Sequence, residues 1–185
     1  MGFKIYTNKK KSFMEERHTQ VYTTKEDYSK NIFPSFPKTS LVELSNGCNH
    51  ACIFCTNSRM ERKVGRLSLE LYEKFLKQAT DLGLEEVGLY TTGEPFLMRN
   101  INDYIKLAKK YGIKYVFITT NGALTSPEKL VSAIEAGLDS IKFSVNAGSR
   151  ESYRLVHGKD DFDKVINNIK FLSNYREKNN IDLKL

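Results

Sequence analysis

The chain has 185 residues, 40% of them hydrophobic, which is enough for one domain with a core of its own. No apolar run is long enough to cross a bilayer, and Met1-Gly2-Phe3-Lys4-Ile5-Tyr6 lacks the apolar segment of a secretion signal, so a cytoplasmic location without membrane contact is expected. The formal net charge is +7, and more than half of it lies in residues 1–40, which hold eight Lys/Arg against four Asp/Glu.

Residues 1–38 show no sustained period and read as a basic leader, with Lys9-Lys10-Lys11 as a short run and Pro34 and Pro37 closing it. A basic arm can bind an anionic surface. It has no basic stripe with interleaved aromatics of the kind that binds single strands, and nucleic acid is not an expected partner.

From residue 39 onward short apolar runs alternate with amphipathic helices. Leu41-Val42-Glu43-Leu44 reads as a first strand. Ser68 can cap a helix with Glu70 in its first turn and Leu69, Tyr72, Leu76 and Ala79 on one face, ending at Gly83. Glu86 to Tyr90 is a second strand, and Thr91-Thr92-Gly93-Glu94-Pro95 the loop after it. Asn100 can cap a helix carrying Ile101, Tyr104, Ile105 and Ala108, with Gly112 past its end. Tyr115-Val116-Phe117-Ile118 is a third strand, and Ser126-Pro127-Glu128 opens a helix that stops near Gly137. Ile141 to Val145 is a fourth strand, Phe162, Val165, Ile166, Ile169 and Leu172 mark a long helix, and Ile181 to Leu185 opens a fifth strand. Four strand–loop–helix repeats predict an α/β protein with a parallel sheet, either a (βα)n barrel or an open doubly wound sheet. No Gly-rich phosphate fingerprint comes after the first strand, which counts against a Rossmann dinucleotide fold.

The loop after the first strand carries Cys48-Asn49-His50-Ala51-Cys52-Ile53-Phe54-Cys55, which holds every cysteine of the chain in the spacing C-x3-C-x2-C. Three thiolates on one loop can hold a metal centre and leave a coordination position open, as catalytic centres do. A structural zinc ion would need a fourth ligand, with His50 the nearest candidate and His18 or His157 remote ones. A disulfide would leave one cysteine over.

This spacing, with Phe54 just before the last cysteine, resembles the signature of the radical S-adenosylmethionine (radical SAM) enzymes. The resemblance implies that Cys48, Cys52 and Cys55 ligate three irons of a 4Fe-4S cluster, and that the fourth iron is left for S-adenosylmethionine. Phe54 would pack beside the cluster and shield it from water, the alternative being plain core packing. Thr92-Gly93-Glu94-Pro95 is similar to the family's Gly-Gly-Glu motif, with Thr92 in place of the first glycine. There Gly93 and Glu94 would accept hydrogen bonds from the methionine amino group. Thr119-Thr120-Asn121-Gly122 resembles the third-strand motif, making Asn121 a cofactor contact; Asn-Gly is equally a favoured tight turn.

Ser144-Val145-Asn146-Ala147-Gly148 resembles the ribose and carboxylate contact region. Period-two spacing predicts Ser144 and Asn146 on one side of the strand. Tyr153-Arg154-Leu155-Val156-His157-Gly158 resembles members with an extra cluster-binding module, the SPASM or twitch group. Arg154 there would face the methionine carboxylate, or else make a surface salt bridge. His157 reads as a loop or packing histidine.

The family's core is a partial (βα) barrel of six units. About four and a half are visible in residues 39–185, so the chain is expected to be a C-terminally truncated core. The implied activity is formation of a deoxyadenosyl radical that abstracts hydrogen from a peptide or small-metabolite substrate, with a flavodoxin- or ferredoxin-like electron donor. The remaining alternatives are a non-catalytic zinc or iron–sulfur module and an inactive fragment.

Overall fold

A computed structural model describes residues 36–185; the basic leader up to residue 35 and His18 lie outside the described residues. Four strands pair in parallel in the order β1 (Thr39–Leu41), β2 (Glu86–Gly88), β3 (Tyr115–Thr120) and β4 (Ser140–Phe143). The register sets Leu41 opposite Gly88, Val87 opposite Val116, and Ile118 opposite Ile141. Among the described residues five helices accompany the strands: α1 (Leu69–Asp81), α2 (Ile101–Lys110), α3 (Pro127–Glu135), α4 (Arg150–His157) and α5 (Phe162–Lys178).

The strand order decides between the two architectures. A doubly wound sheet reverses its strand order at a switch point. Here the order never reverses, and helices α1, α2, α3 and α5 touch one another in sequence around the outside. That is one-directional winding, an arc of a (βα) barrel. The core lies between sheet and helices, where Leu76, Val87, Ile105, Val116, Ile118 and Ile141 are fully buried.

The helix signals translate directly. Ser68 Oγ accepts from Leu71 N (3.2 Å) and Ser126 Oγ from Lys129 N (3.4 Å), with Pro127 in the first turn of α3. Gly83, Gly112 and Gly137 close α1, α2 and α3 at φ of 99°, 81° and 109°, where a side chain would be strained. Asn100 departs from expectation. Its backbone, at φ −105° and ψ 33°, is not in the extended cap geometry, and its side chain makes no capping bond.

The strand limits all differ: β2 ends at Gly88 rather than Tyr90, and β3 runs on to Thr120 rather than stopping at Ile118. β1 sits at 39–41 rather than 41–44, because its ladder is set by β2; Val42 N makes the last bond, to Gly88 O (2.8 Å). Gly88 lets its neighbours close in there, since a Cβ would come within 2.5 Å of the Leu41 side chain and 2.8 Å of the Phe117 ring and force them to shift. β4 ends at Phe143 rather than Val145. The fifth strand is reduced to one parallel bridge, Ser140 with Lys184, made by Ile141 N to Lys184 O and Lys184 N to Asp139 O, each 3.0 Å.

Helix α4 falls where the apolar pattern predicts none. Its signals are Ser149 and Ser152, which form a reciprocal capping box, and Gly158, left-handed at its end.

Candidate functional site

The cysteine loop leaves β1 and returns on its own base. Leu67 N donates to Leu44 O (2.9 Å), and Ser45 bridges Arg66 in antiparallel sense. Asn46 holds both limbs, donating to Lys63 O (3.0 Å) and accepting from Gly65 N (2.6 Å). Asn57, in a 3-10 turn after the last cysteine, donates to Asn46 O (2.8 Å) and to Thr92 O on the next loop (2.9 Å). Backbone satisfaction by these two amides gives a polar loop a fixed shape.

Cys48, Cys52 and Cys55 are unpaired and partly exposed. Donors point at their sulfurs: His50 N and Asn121 Nδ2 at Cys48 (3.5 and 3.8 Å), Asn57 N at Cys55 (3.4 Å). Burial pushes the Cys48 and Cys52 thiols up, and charge on a neighbouring cysteine sulfur pushes each the same way. Thiolates that repel one another while N–H groups face two of them are a donor set suited to cationic irons, whose charge inverts that repulsion. The residues present therefore fit a cysteine-ligated cluster.

The loops after β2 and β3 are fastened to this one. A Cβ on Gly93 would overlap Ser45 O and lie 2.8 Å from Gly47 O, so only glycine lets the second loop seat against the first. Glu94 N donates to Gly47 O (2.8 Å). Its carboxylate is buried, 2% exposed, and accepts from Phe96 N (3.0 Å), Thr120 Oγ1 (2.7 Å) and Asn121 N (2.9 Å). Burial raises the Glu94 carboxyl above its usual range, opposed by those hydrogen bonds. Asn121 Nδ2 also donates to Asn49 Oδ1 (2.9 Å), and its Oδ1 accepts from Ala123 N (2.9 Å). From behind, buried Asn168 of α5 donates to Thr125 O (3.2 Å) and Oγ1 (2.9 Å).

Thr92, the departure from Gly-Gly-Glu, has work of its own. Its hydroxyl and N–H both donate to Glu43 at the end of the first strand segment, joined by Thr91 Oγ1 (2.6 Å) and Arg62 Nη2 (2.7 Å). Burial pushes the Glu43 carboxyl up, but these four donors outweigh it and hold the group down at about 2. A carboxyl depressed in the folded state stabilises fully above its unfolded value near 4.5, and that stabilisation is lost as pH falls toward about 2. Glu43→Gln should therefore flatten the fall in melting temperature between pH 5 and 3. An unchanged slope in calorimetry would remove Glu43 as its source.

The other expected contacts stand apart. Ser144 N continues the ladder to Thr120 O (2.8 Å), but Asn146 is left-handed at φ 49° and exposed. The alternation needed to put Ser144 and Asn146 on one side ends with β4 at Phe143. Phe54 is 62% exposed, so it is not a core residue; among the described residues its one ring contact is edge-on to His157 at 6.1 Å. Arg154 is exposed on α4, with no ion pair among the described residues, in a groove of about 780 Å³ shared with Arg150, Leu155 and Asp160. The surface salt bridge that was its alternative role is not formed among the described residues; there Arg150 pairs with Asp160 (2.7 Å).

Beneath the cysteine loop two of the histidines named above as candidate zinc ligands, His50 and His157, meet in a cluster with Tyr153. Tyr153 and His157, one turn apart on the inner face of α4, stack at 4.2 Å, and His50 packs edge-on to both. His157 is 1% exposed; Nε2 lies 2.6 Å from Val145 O and Nδ1 lies 3.3 Å from Cys52 Sγ. His50 Nε2 lies 3.1 Å from Asp161 Oδ2, and burial lowers its pKa against the opposing pull of Asp161. The capping box of α4 is the sequence signal for that helix, which sets Tyr153 and His157 at i and i+4.

The family profile described as the radical SAM superfamily matches residues 42–183. The chain belongs to the radical SAM superfamily. Streptococcus suis SuiB, bound to the precursor peptide SuiA, superposes over 95% of this chain and 39% of its own at a TM-score of 0.66 and 19% identity, which speaks to the fold. BtrN, in complex with AdoMet and 2-DOIA, matches 64% of this chain and 50% of its own at 0.56 and 25% identity. Among curated sequences, a probable GTP 3',8-cyclase of Saccharolobus solfataricus is 36% identical over 130 residues, 70% of this chain and 41% of that protein. An uncharacterised protein of Methanocaldococcus jannaschii is 36% identical over 135 residues, 72% of this chain and 43% of that protein. The chain spans about two fifths of the length of these curated relatives. Within this radical SAM core, no helix among the described residues is long and apolar enough to cross a membrane.

Proposed function

We propose that Cys48, Cys52 and Cys55 hold a 4Fe-4S cluster with S-adenosylmethionine beside it, in an enzyme that abstracts hydrogen from a small-molecule substrate. The observation that carries this is the fastening of the cysteine loop to Gly93-Glu94 and Asn121 at the ends of three adjacent strands. In barrels of this winding, functional groups collect at those ends. When bound, cluster and S-adenosylmethionine supply one-electron cleavage of the sulfonium and a hydrogen-abstracting radical.

The chain's own residues bind and orient. The three thiolates take the irons, and the Asn121 amide faces Cys48 while fixing Asn49. A carboxylate has about four acceptor positions. Glu94 has filled three of them with protein donors, so its main task is to lock three loops together, leaving one position for the methionine ammonium. Ser144, held by backbone pairing to Thr120, is the nearer candidate for a ribose contact; Asn146, Arg154 and Phe54 would have to act from the exposed rim.

The relatives named as GTP 3',8-cyclases favour a small-molecule substrate over a peptide, because the peptide-bound structural neighbours are less than 25% identical. A flavodoxin- or ferredoxin-like protein would deliver the electron in the cytoplasm.

Electron paramagnetic resonance of the anaerobically reconstituted, reduced protein tests the reading. A 4Fe-4S signal that changes on adding S-adenosylmethionine is expected. A cluster indifferent to the cofactor would overturn the binding site, and no cluster at all would overturn the ligand assignment.

A further inference from the structure

The cluster beneath the cysteine loop has the construction of a second metal site. His50, Cys52 and His157 bring their ligand atoms within 4.8 Å of one another. A tetrahedral zinc ion with ordinary Zn–N and Zn–S bonds spaces its ligands by about 3.3–3.7 Å. Cys52 Sγ and His157 Nδ1 are already 3.3 Å apart.

Both imidazoles are also oriented from behind, as ligating histidines are. His157 donates from Nε2 to Val145 O, which leaves the Nδ1 lone pair toward Cys52. His50 is held through Nε2 by the Asp161 carboxylate, a carboxylate–histidine arrangement. The remaining nitrogen of His50, Nδ1, is buried with no hydrogen-bond partner among the described residues, on a side chain 1% exposed. An unpaired buried acceptor is costly, and a metal ion would satisfy it.

We propose that His50, Cys52 and His157 form a binding site for a zinc-type divalent cation, distinct from the three-cysteine set and sharing Cys52 with it. The fourth position is left to water or another small ligand. Two imidazoles and one thiolate suit zinc over magnesium or calcium, which take oxygen donors. Since Cys52 belongs to both sets, zinc here opposes cluster assembly, and the loop selects between two metal states. The inference stands on the His50–Cys52–His157 geometry and holds whether or not the cluster forms.

Zinc binding to the full chain, measured under reducing, anaerobic conditions against a chromophoric chelator, tests it. One equivalent should bind, with a zinc K-edge shell of one sulfur and two imidazole nitrogens. His50→Gln and His157→Gln each keep a donor at the Nε2 position and lose Nδ1; they should weaken zinc binding about 100-fold or more. Cys48→Ser and Cys55→Ser should bind zinc like the wild type. Zinc-loaded protein should take up less iron on reconstitution than zinc-free protein. A three-sulfur shell, or loss of zinc in Cys48→Ser with retention in His50→Gln, would place the ion on the cysteines and overturn the proposal. No zinc uptake by the wild type would also overturn it, and equal iron uptake with zinc retained would end the shared-ligand claim. The absorption-edge measurement needs no variant, so it decides even if a substitution impairs folding.

Discussion

Replacing Cys48, Cys52 or Cys55 singly by Ala should take anaerobically reconstituted protein from about four irons per chain to background. The S-adenosylmethionine-dependent spectral change should go with it, while the apo fold of the Cys48 and Cys55 variants is nearly unaffected. The expectation for the fold comes from placement. All three side chains are partly exposed on a loop; Cys52 Sγ lies 3.3 Å from Nδ1 of buried His157, so Cys52→Ala should cost more, whereas the sulfurs of Cys48 and Cys55 receive only weak N–H contacts at 3.4–3.8 Å. Loss of such contacts should cost under about 1 kcal/mol, within the range of surface substitutions. The loop's shape is kept by other residues, Asn46 and Asn57, whose bonds the substitutions leave alone. Iron analysis with calorimetry checks both halves. Full iron content in any one variant would remove that cysteine from the ligand set.

Glu94→Ala should act in the opposite way, on the fold first and the site in consequence. The substitution strips an acceptor from Phe96 N, Thr120 Oγ1 and Asn121 N in a place where water does not reach, since Glu94 is 2% exposed. Each buried donor left unpaired costs about 1–3 kcal/mol. Partial relaxation leaves a total of about 3–5 kcal/mol, enough to lower the melting temperature by roughly 10 °C for a domain of this size. Cluster retention should fall as well, because Asn121, which reaches Cys48, is positioned by the same carboxylate. Thr120→Val removes one of the three donors but also the acceptor of Gly122 N (3.0 Å), and should cost less than Glu94→Ala. A Glu94→Ala loss below about 1 kcal/mol in denaturant titration would show that the loops are held by something else. The raised carboxyl makes the sign of the pH effect opposite to that of Glu43. Burial disfavours the Glu94 anion, so its contribution is most favourable below the ordinary carboxylate range and declines as pH rises through the shifted value.

Much of the scaffold was legible from neighbouring residues. The Ser68 and Ser126 caps, the glycine stops of α1 to α3 and the apolar faces of the helices all depend on groups within a few positions of one another. The α4 helix was not read, although Ser149, Ser152 and Gly158 mark its ends, because its buried residues are only Tyr153 and His157. Strand limits were not legible. Leu41 to Leu44 reads as a strand by composition, yet the ladder ends at Val42, where β2 stops offering partners.

Within the site, Gly93-Glu94 and Asn121 could be picked out as a pattern, but their work could not. Gly93 is glycine because Ser45 O occupies the place of its Cβ, and Thr92, where the resembling motif has glycine, adds a hydroxyl donor to Glu43. Ser144 and Asn146 show the reverse case, a period-two inference undone where the chain turns left-handed at Asn146.

The sequence alone determined the candidate metal ligands, the α/β alternation and the helix caps, since ligand spacing, hydrophobic period and capping are properties of adjacent residues. Tertiary structure decided the one-directional winding, the Glu94 clasp and the meeting of His50 with Asp161 and of Cys52 with His157. Those last pairs are 111 and 105 residues apart, and only the packing of α4 and the start of α5 against the first loop makes them neighbours.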